Sequence, residues 1–234
     1  MSSPPLGPRL HPPSRLRTAG EALSGLELIR LGLRARSLGG SVRGDGAPVV
    51  LVPGLGASDA SMVPLRTFLR RMGHDAHSAG LGRINDDVEA QYRRLADVVA
   101  DLHRSSGRTV ALVGWSIGGV LSREVARDHP DIVRRLVTFG TPAFGGPSYS
   151  AVAWRYSPEA LAAVRARIAE RSSVPISVPL TAMWSRRDGI VAPAACLDHD
   201  TPGAELIEVS STHLGMGIDP DVWAVTQDRL QRAG

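Results

Sequence analysis

Three residue types, in one order along this chain, could together activate a serine hydroxyl. Ser116 lies in the segment Gly114-Trp115-Ser116-Ile117-Gly118, and Asp188 and then His213 follow it later in the chain. A serine hydroxyl is a weak nucleophile at neutral pH, so it needs a base to take its proton and an acid to orient that base. We therefore predict nucleophilic chemistry at Ser116, with His213 as the base and Asp188 as the orienting acid.

The flanking sequence predicts that Ser116 stands on a sharp turn between a strand and a helix. The apolar run Thr109–Val113 precedes the motif, and the helical pattern Val120–Asp128 follows it. Gly114 and Gly118 have no side chains, so the strand and the helix can approach closely around the serine. Such a turn would strain the backbone of Ser116 and lift its hydroxyl clear of the sheet. A plain tight turn is the alternative, and the flanking elements favour the nucleophile.

The remaining chain predicts strands that alternate with helices. Strand-sized runs occur at Pro48–Val52, His74–Ala79, Thr109–Val113, Arg134–Phe139, Leu180–Trp184 and Glu205–Val209. Apolar residues at helical spacing lie between or after them, chiefly at Met62–Met72, Asp86–His103 and Asp219–Leu230. This alternation predicts an α/β fold, a doubly wound, mainly parallel sheet of about six strands. Ser116, Asp188 and His213 each follow a strand, so they would meet at the carboxyl edge of the sheet.

These motifs resemble those of the α/β-hydrolase superfamily, of the serine esterase and lipase type, over about residues 48–232. The resemblance is carried by Val52-Pro53-Gly54-Leu55-Gly56, by Gly114–Gly119, by Gly140-Thr141-Pro142, by Asp188-Gly189-Ile190-Val191 and by the late His213. It implies acyl transfer to Ser116, with the backbone N–H groups of Leu55 and Ile117 as an oxyanion hole. Two positions depart from the family pattern, since Pro53 and Trp115 stand where many relatives have His.

We predict a hydrolase domain over residues 46–234, preceded by an N-terminal arm and helix over residues 1–45. Residues 1–17 predict a mobile arm rich in Pro, Ser and Arg, and residues 37–47 predict a linker. Residues 18–38 between them predict an amphipathic helix, whose Thr18 and Glu21 have the spacing of a capping box. This helix either packs on the domain or makes a peripheral membrane contact, and we favour packing.

Residues 141–177 interrupt the alternation, and we interpret them as a short helical cap over the active site. The stretch begins as a glycine-rich loop and continues with a helical pattern over Pro158–Arg171. A crossover helix that lies on the sheet is the alternative. Trp115, Phe144 and Trp154 are our candidates for contact with an apolar acyl group. Packing behind the elbow or within the cap would also explain these aromatic residues.

The composition argues against several classes of function. All 27 basic residues are arginine and the net charge is +4, but no aromatic residues alternate with the early arginines, so we predict no nucleic-acid partner. No apolar run approaches the roughly 18 residues of a membrane span, and we see no pattern of a secretory signal. The lone Cys196 allows no intrachain disulfide and favours a reducing, cytoplasmic compartment. We predict neither a metal nor an organic cofactor.

Other histidines fit catalysis or metal binding less well than His213 does. His199 lies between Asp198 and Asp200, but in a polar loop that precedes a turn. His74 and His77 have a spacing that suits metal ligands, yet they lie on a predicted strand that would point them to opposite faces. We expect all of these residues to be structural.

The sequence therefore predicts a serine hydrolase that cleaves carboxylic esters with an apolar acyl group, from a small-molecule or lipid-like substrate. Two alternatives stay open. An acyltransferase would use the same triad with an alcohol in place of water. A non-catalytic, hydrolase-like protein that binds a ligand or a membrane would not need all three residues of the triad.

Overall fold

The computed structural model describes residues 11–34, 38, 43–85, 87–155 and 157–232. Six strands form one sheet: β1 (Pro48–Val52), β2 (Asp75–Ser78), β3 (Val110–Trp115), β4 (Val133–Phe139), β5 (Leu180–Trp184) and β6 (Glu205–Glu208). Their order in space is β2-β1-β3-β4-β5-β6, and every neighbouring pair is parallel. The predicted α/β fold with a six-stranded, doubly wound sheet is confirmed.

Seven α-helices accompany the sheet within the described residues. They are α1 (Arg15–Gly20), α2 (Leu26–Arg34), α3 (Val63–Arg71), α4 (Val88–Ser106), α5 (Ile117–Asp128), α6 (Pro158–Ser172) and α7 (Pro220–Gln231). Short 3-10 helices connect some of them, at Glu21–Gly25, Asp59–Met62, Gly146–Tyr149, Ala153–Arg155, Pro193–Cys196 and Gly215–Ile218. None of the helices described is long and apolar enough to cross a membrane.

Local sequence signals explain where the longest helix begins and ends. The Asp87 carboxylate accepts a hydrogen bond from the Ala90 N–H at 3.1 Å, which satisfies one of the free amides at the start of α4. The helix ends at Gly107, whose φ of 65° is the left-handed conformation that glycine adopts without strain. Both signals lie at the ends of the helical pattern in the sequence. The neighbouring Asp86, which we also included in that helix, lies outside the described residues.

The sheet buries both of its faces, as the continuously apolar strands predict. Val49 and Leu51 of β1 point to one core, while Val50 and Val52 point to the other, and all four are fully buried. The first core is completed by α3 and α7, with Leu65, Leu69, Val222 and Leu230. The second is completed by α4 and α5, with Leu95, Val99, Leu121 and Val125. These two layers fix the strand ends that carry the candidate site.

The N-terminal segment differs from the predicted single helix over residues 18–38. It begins at Arg15, where the Ser14 hydroxyl accepts a hydrogen bond from the Arg17 N–H, and a 3-10 turn at Glu21–Gly25 separates α1 from α2. Glu21, the first residue of this turn, is buried. Of the predicted arm, helix and linker, residues 1–10, 35–37 and 39–42 lie outside the described residues.

The connection between β4 and β5 is formed by the residues that we interpret as a cap, and their role as a cap stays a prediction. It passes through two short 3-10 helices and then α6, and Arg171 near the end of α6 forms ion pairs with Glu124 and Asp128 of α5, each at 2.6 Å. An isolated antiparallel bridge joins Ser150 to Val191 in the loop after β5. These contacts join the end of α6 to α5, and the start of the connection to the loop after β5.

Candidate active site

Ser116 occupies a strained turn between β3 and α5. Its φ of 55° and ψ of −124° make it the only residue other than glycine with a positive φ in the described part of the chain. A β-carbon on Gly114 would lie 2.4 Å from Gly119 Cα, and one on Gly118 would lie 2.3 Å from the carbonyl oxygen of Pro53. Only glycine fits at both positions, so the sequence motif and the sharp turn have the same cause. Strain of this kind is found where a site needs one defined geometry.

Asp188 and His213 form a buried pair at the ends of β5 and β6. Asp188 Oδ2 lies 2.7 Å from His213 Nδ1, and both side chains are almost fully buried. The other carboxylate oxygen accepts hydrogen bonds from the N–H groups of Ile190 and Val191, at 2.9 and 2.7 Å. An ionised carboxylate only accepts, so it favours the tautomer with the proton on Nδ1. The Nε2 atom of His213 is then free to act as a base.

Ser116 and His213 both line one cavity of about 830 Å³. Leu55 and Ile117, the two predicted oxyanion residues, line the same cavity. Further apolar residues line it: Ala57, Val88, Trp115, Val120, Pro142, Val152, Ile168, Ile190, Val191 and Leu214. Polar residues also contribute: Asn85, Asp87, Glu89, Tyr92, Glu124, Asp128 and Arg171. The cavity can therefore take an apolar group beside Ser116.

The loop after β1 lies directly against the serine. A β-carbon on Gly54 would lie 3.3 Å from Ser116 Cβ, and Gly56 turns the chain away with a φ of 75°. The backbone N–H groups of Leu55 and Ile117 donate to no acceptor within the described ranges. Two such amides beside a nucleophile can bind a negatively charged oxygen. The carbonyl oxygen of Pro53 faces Gly118, where a β-carbon would lie 2.3 Å from it.

The three candidate substrate-binding aromatics separate in the structure. Trp115 lines the cavity, and its ring centroid lies 6.0 Å from that of His213. Phe144 instead packs edge-on against Tyr149, at 6.2 Å between centroids. Trp154 is 82% exposed. Neither Phe144 nor Trp154 belongs to the cavity wall as described, so the structure brings only Trp115 to the site.

His199, the alternative base, is exposed, while its neighbour Asp198 and the histidines His74 and His77 have structural partners. Asp198 forms a buried ion pair with Arg123 at 2.5 Å, and although burial opposes its ionisation, Arg123 and further hydrogen bonds lower its pKa. His74 is buried, with Nε2 2.9 Å from Gln227 Oε1, and burial lowers its pKa. His77 pairs with Asp75 at 2.7 Å. The described residues contain no cluster that could hold a metal ion.

The only cysteine does not offer a second nucleophile. Cys196 is buried, and burial raises the pKa of its thiol well above the usual value. A thiol of this kind stays protonated at neutral pH and is a poor nucleophile.

One residue that contacts the site was not identified from the sequence. The Glu21 carboxylate accepts hydrogen bonds from the backbone of Gly189, His213 and Leu214. The capping-box interpretation of Thr18 and Glu21 is wrong, because the Thr18 hydroxyl donates to the Gly189 carbonyl at 2.8 Å. The sequence showed only an acidic residue inside an apolar segment. Such a pattern does not indicate which distant residues the acid contacts.

Comparison with models of known protein families identifies the family of this chain. Residues 49–233 match the model of the alpha/beta hydrolase family. The chain belongs to this family. The match includes Ser116, Asp188 and His213 together with all the strands except the first residue of β1. It begins after the N-terminal segment that carries Glu21.

This α/β-hydrolase is similar in sequence to an esterase and to part of a polyketide synthase, and similar in fold to a lipase. A pimeloyl-[acyl-carrier protein] methyl ester esterase from Vibrio cholerae is 28% identical over 181 residues, which are 74% of this chain and 69% of that protein. The polyketide synthase ThaQ from Burkholderia thailandensis is 37% identical over 124 residues, 49% of this chain but only 6% of the synthase. The crystal structure of the Bacillus licheniformis lipase BlEst2 matches with a TM-score of 0.61 at 18% identity, over 83% of this chain and 94% of the lipase. The structural likeness shows the fold.

Proposed function

We propose that this α/β-hydrolase is a serine esterase that cleaves carboxylic esters with an apolar acyl group. The observation that carries the proposal is the buried 2.7 Å contact between Asp188 and His213 at a cavity that Ser116 also lines. Acyl transfer needs a positioned serine, an oriented imidazole and two amides that can bind the oxyanion, and the amides of Leu55 and Ile117 donate to no acceptor among the described residues. The esterase relative from Vibrio cholerae supports the same class of reaction.

In the proposed first step, Ser116 Oγ attacks the ester carbonyl carbon while His213 Nε2 takes the hydroxyl proton. Asp188 stabilises the imidazolium that forms, and the N–H groups of Leu55 and Ile117 bind the negative oxygen of the tetrahedral intermediate. The bond between the carbonyl carbon and the alcohol oxygen then breaks, and His213 gives its proton to the departing alcohol. The product of this step is an ester between Ser116 and the acyl group.

In the second step, a water molecule attacks the acyl-serine carbonyl, and His213 takes one of its protons. Collapse of the second intermediate releases the carboxylic acid and returns the proton to Ser116 Oγ. Losing one amide of the oxyanion hole would slow such a reaction by about 10²–10³-fold. An acyltransferase would differ only in this step, since an alcohol would take the place of water.

The cavity supports an apolar acyl group, because aliphatic side chains such as Ile117, Val120 and Ile168 line it together with Ser116. The proposed substrate is therefore a small-molecule or lipid-like ester. A cytoplasmic location is also part of the proposal, and it rests on the lone Cys196.

Hydrolysis of p-nitrophenyl esters from acetate to octanoate tests the proposal. We expect turnover that Ser116→Ala abolishes, with kcat/KM higher for butyrate or longer chains than for acetate. Added methanol should divert some of the acyl group into methyl ester, and the ratio of acid to ester separates a hydrolase from an acyltransferase. A folded wild-type protein without Ser116-dependent turnover would favour the non-catalytic alternative.

A further inference from the structure

Glu21 links the two loops that carry Asp188 and His213. Its side chain comes from the 3-10 turn between α1 and α2, and the residue is only 5% exposed. One carboxylate oxygen accepts hydrogen bonds from the N–H of Gly189 at 2.7 Å and of His213 at 3.0 Å, and the other accepts from the N–H of Leu214 at 2.8 Å. Gly189 directly follows Asp188, so a single carboxylate contacts both halves of the pair.

The N-terminal segment is fitted closely to these loops. A β-carbon on Gly189 would lie 2.3 Å from the carbonyl oxygen of Arg17, and one on Gly215 would lie 2.9 Å from Glu27 Cγ. Farther along, Arg30 of α2 forms an ion pair with Asp221 in the first turn of α7 at 2.7 Å. The segment is therefore attached at both ends, and Glu21 cannot withdraw without breaking several contacts.

We propose that Glu21 is a positioning residue, which holds the Asp188 and His213 loops in the register that aligns the imidazole. Hydrogen bonds from amides to a buried carboxylate are among the stronger ones in proteins. Removing the carboxylate leaves three N–H groups without this acceptor, and those of Gly189 and His213 are buried in the loops whose spacing sets the contact between Asp188 and His213. The catalytic part of this inference rests on the proposed function.

The test compares Glu21→Ala and Glu21→Gln with the control Glu27→Gln in the full chain. Glu27 is also a buried acid of the same segment, but its side-chain partner is Arg30, at 2.6 Å. We expect Glu21→Ala to lower kcat by about 10–100-fold with KM changed less than threefold, because misalignment acts on the chemical step. Glu21→Gln keeps one oxygen acceptor and should fall between Glu21→Ala and the wild type. Glu27→Gln should keep kcat within threefold of the wild type.

A readout that does not depend on turnover separates this inference from the proposed function. The proton between Asp188 and His213 should give a low-field NMR resonance, which Glu21→Ala should shift or broaden and Glu27→Gln should preserve. An unchanged resonance and an unchanged kcat in Glu21→Ala would overturn the positioning role. A wild-type protein without esterase turnover would contradict the proposed function, and the resonance would still test whether Glu21 orders the pair.

A second observation concerns the outer side of the same segment, which exposes its apolar residues. The N-terminal apolar face is defined here as six exposed side chains: Leu16, Leu23, Leu26, Leu28, Ile29 and Leu33. Leu16 and Leu33 are 84% and 81% exposed. The acids Glu21 and Glu27 of the same segment are buried instead. A surface helix normally places these residue types the other way round.

Charge on the segment indicates what this face could contact. Its two carboxylates are buried, while Arg15 and Arg17 are exposed beside Leu16. An apolar face flanked by exposed arginines is the pattern that binds anionic lipid headgroups and the outer part of the acyl layer. Leu214, which Glu21 holds through its N–H, lines the cavity and is half exposed, so the segment adjoins the cavity wall.

We propose that the N-terminal apolar face docks on an anionic lipid surface. Co-sedimentation with phosphatidylcholine vesicles, with and without 30% phosphatidylserine, would test this. We expect binding only with phosphatidylserine, weakened by salt, and reduced at least about tenfold by the double variant Leu16→Ser/Leu33→Ser. The matched control is Val63→Ser/Val174→Ser, which changes two exposed valines elsewhere. Equal loss in both double variants, no binding by the wild type, or a dimer in sedimentation velocity that only Leu16→Ser/Leu33→Ser disrupts would overturn the proposal.

Discussion

Gly118→Ala tests whether close backbone packing positions the predicted oxyanion hole. A β-carbon at residue 118 would lie 2.3 Å from the carbonyl oxygens of both Val52 and Pro53. These atoms belong to the backbone that leads into Leu55, so no side-chain rotation can relieve the contact. Either the start of α5, which carries Ile117, or the end of β1, which leads into Leu55, has to move.

The size of the expected effect follows from this distance. A relaxed contact between carbon and a carbonyl oxygen needs about 3.3 Å, so the elements must separate by about 1 Å. Overpacking of this kind costs about 1–3 kcal/mol, and the higher helix propensity of alanine offsets about 1 kcal/mol of it. The protein should therefore stay folded. A displacement of about 1 Å at a reacting group costs about 100-fold in rate, so the catalytic effect outweighs the effect on stability.

The assay measures kcat for p-nitrophenyl butyrate together with the free energy of unfolding in urea. Gly32→Ala is the matched control, because a β-carbon on this helical glycine of α2 meets no atom within 4 Å. We expect the control to keep full activity and to gain up to about 1 kcal/mol of stability. The reasoning is refuted if Gly118→Ala keeps kcat within threefold, or if its loss of activity merely equals its unfolded fraction.

Three further predictions concern buried polar contacts. Asp188→Asn should lower kcat by about 10⁴-fold while the protein stays folded, because the amide favours the wrong tautomer of the imidazole; a loss below tenfold would contradict the proposed role of the carboxylate. Burial lowers the pKa of His74 below its ordinary 6.5, so the unfolded state binds more protons and the free energy of unfolding should fall as the pH drops below about 6.5. His74→Gln should flatten this dependence in urea titrations between pH 5 and 7, and an equally steep curve would exclude His74 as its source. Arg123→Met should cost about 3–5 kcal/mol by leaving Asp198 buried without its partner, and Arg123→Met/Asp198→Asn should recover much of the loss in thermal unfolding.

The sequence predicted the parts of the fold and site that depend on local pattern. The glycines around Ser116 indicated a sharp turn, and the structure gives the reason, since any side chain at Gly114 or Gly118 would collide with backbone atoms. The strands of a doubly wound sheet are buried on both faces, so their apolar runs were readable without knowledge of tertiary contacts. The contact between Asp188 and His213 was predictable because both residues come after parallel strands, whose carboxyl ends lie at the same edge of the sheet.

Other features depended on distant contacts that local pattern does not encode. Glu21 had the spacing of a helix cap, but its three donors lie more than 160 residues later in the chain. The leucines of α2 predicted a packed face, yet the structure buries Glu27 and exposes Leu28 and Ile29. Phe144 and Trp154 were candidates only because they are large and apolar, and residue type alone does not say which of several aromatics reaches a cavity.

Covalent labelling with a fluorophosphonate, followed by mass spectrometry of the intact and digested protein, tests the central proposal most directly. We predict one adduct per chain, on Ser116, with no adduct in Ser116→Ala and labelling at least about 100-fold slower in His213→Ala, because the imidazole is the base that activates the hydroxyl. A folded wild-type protein that stays unlabelled, or that labels equally fast without His213, would contradict the account.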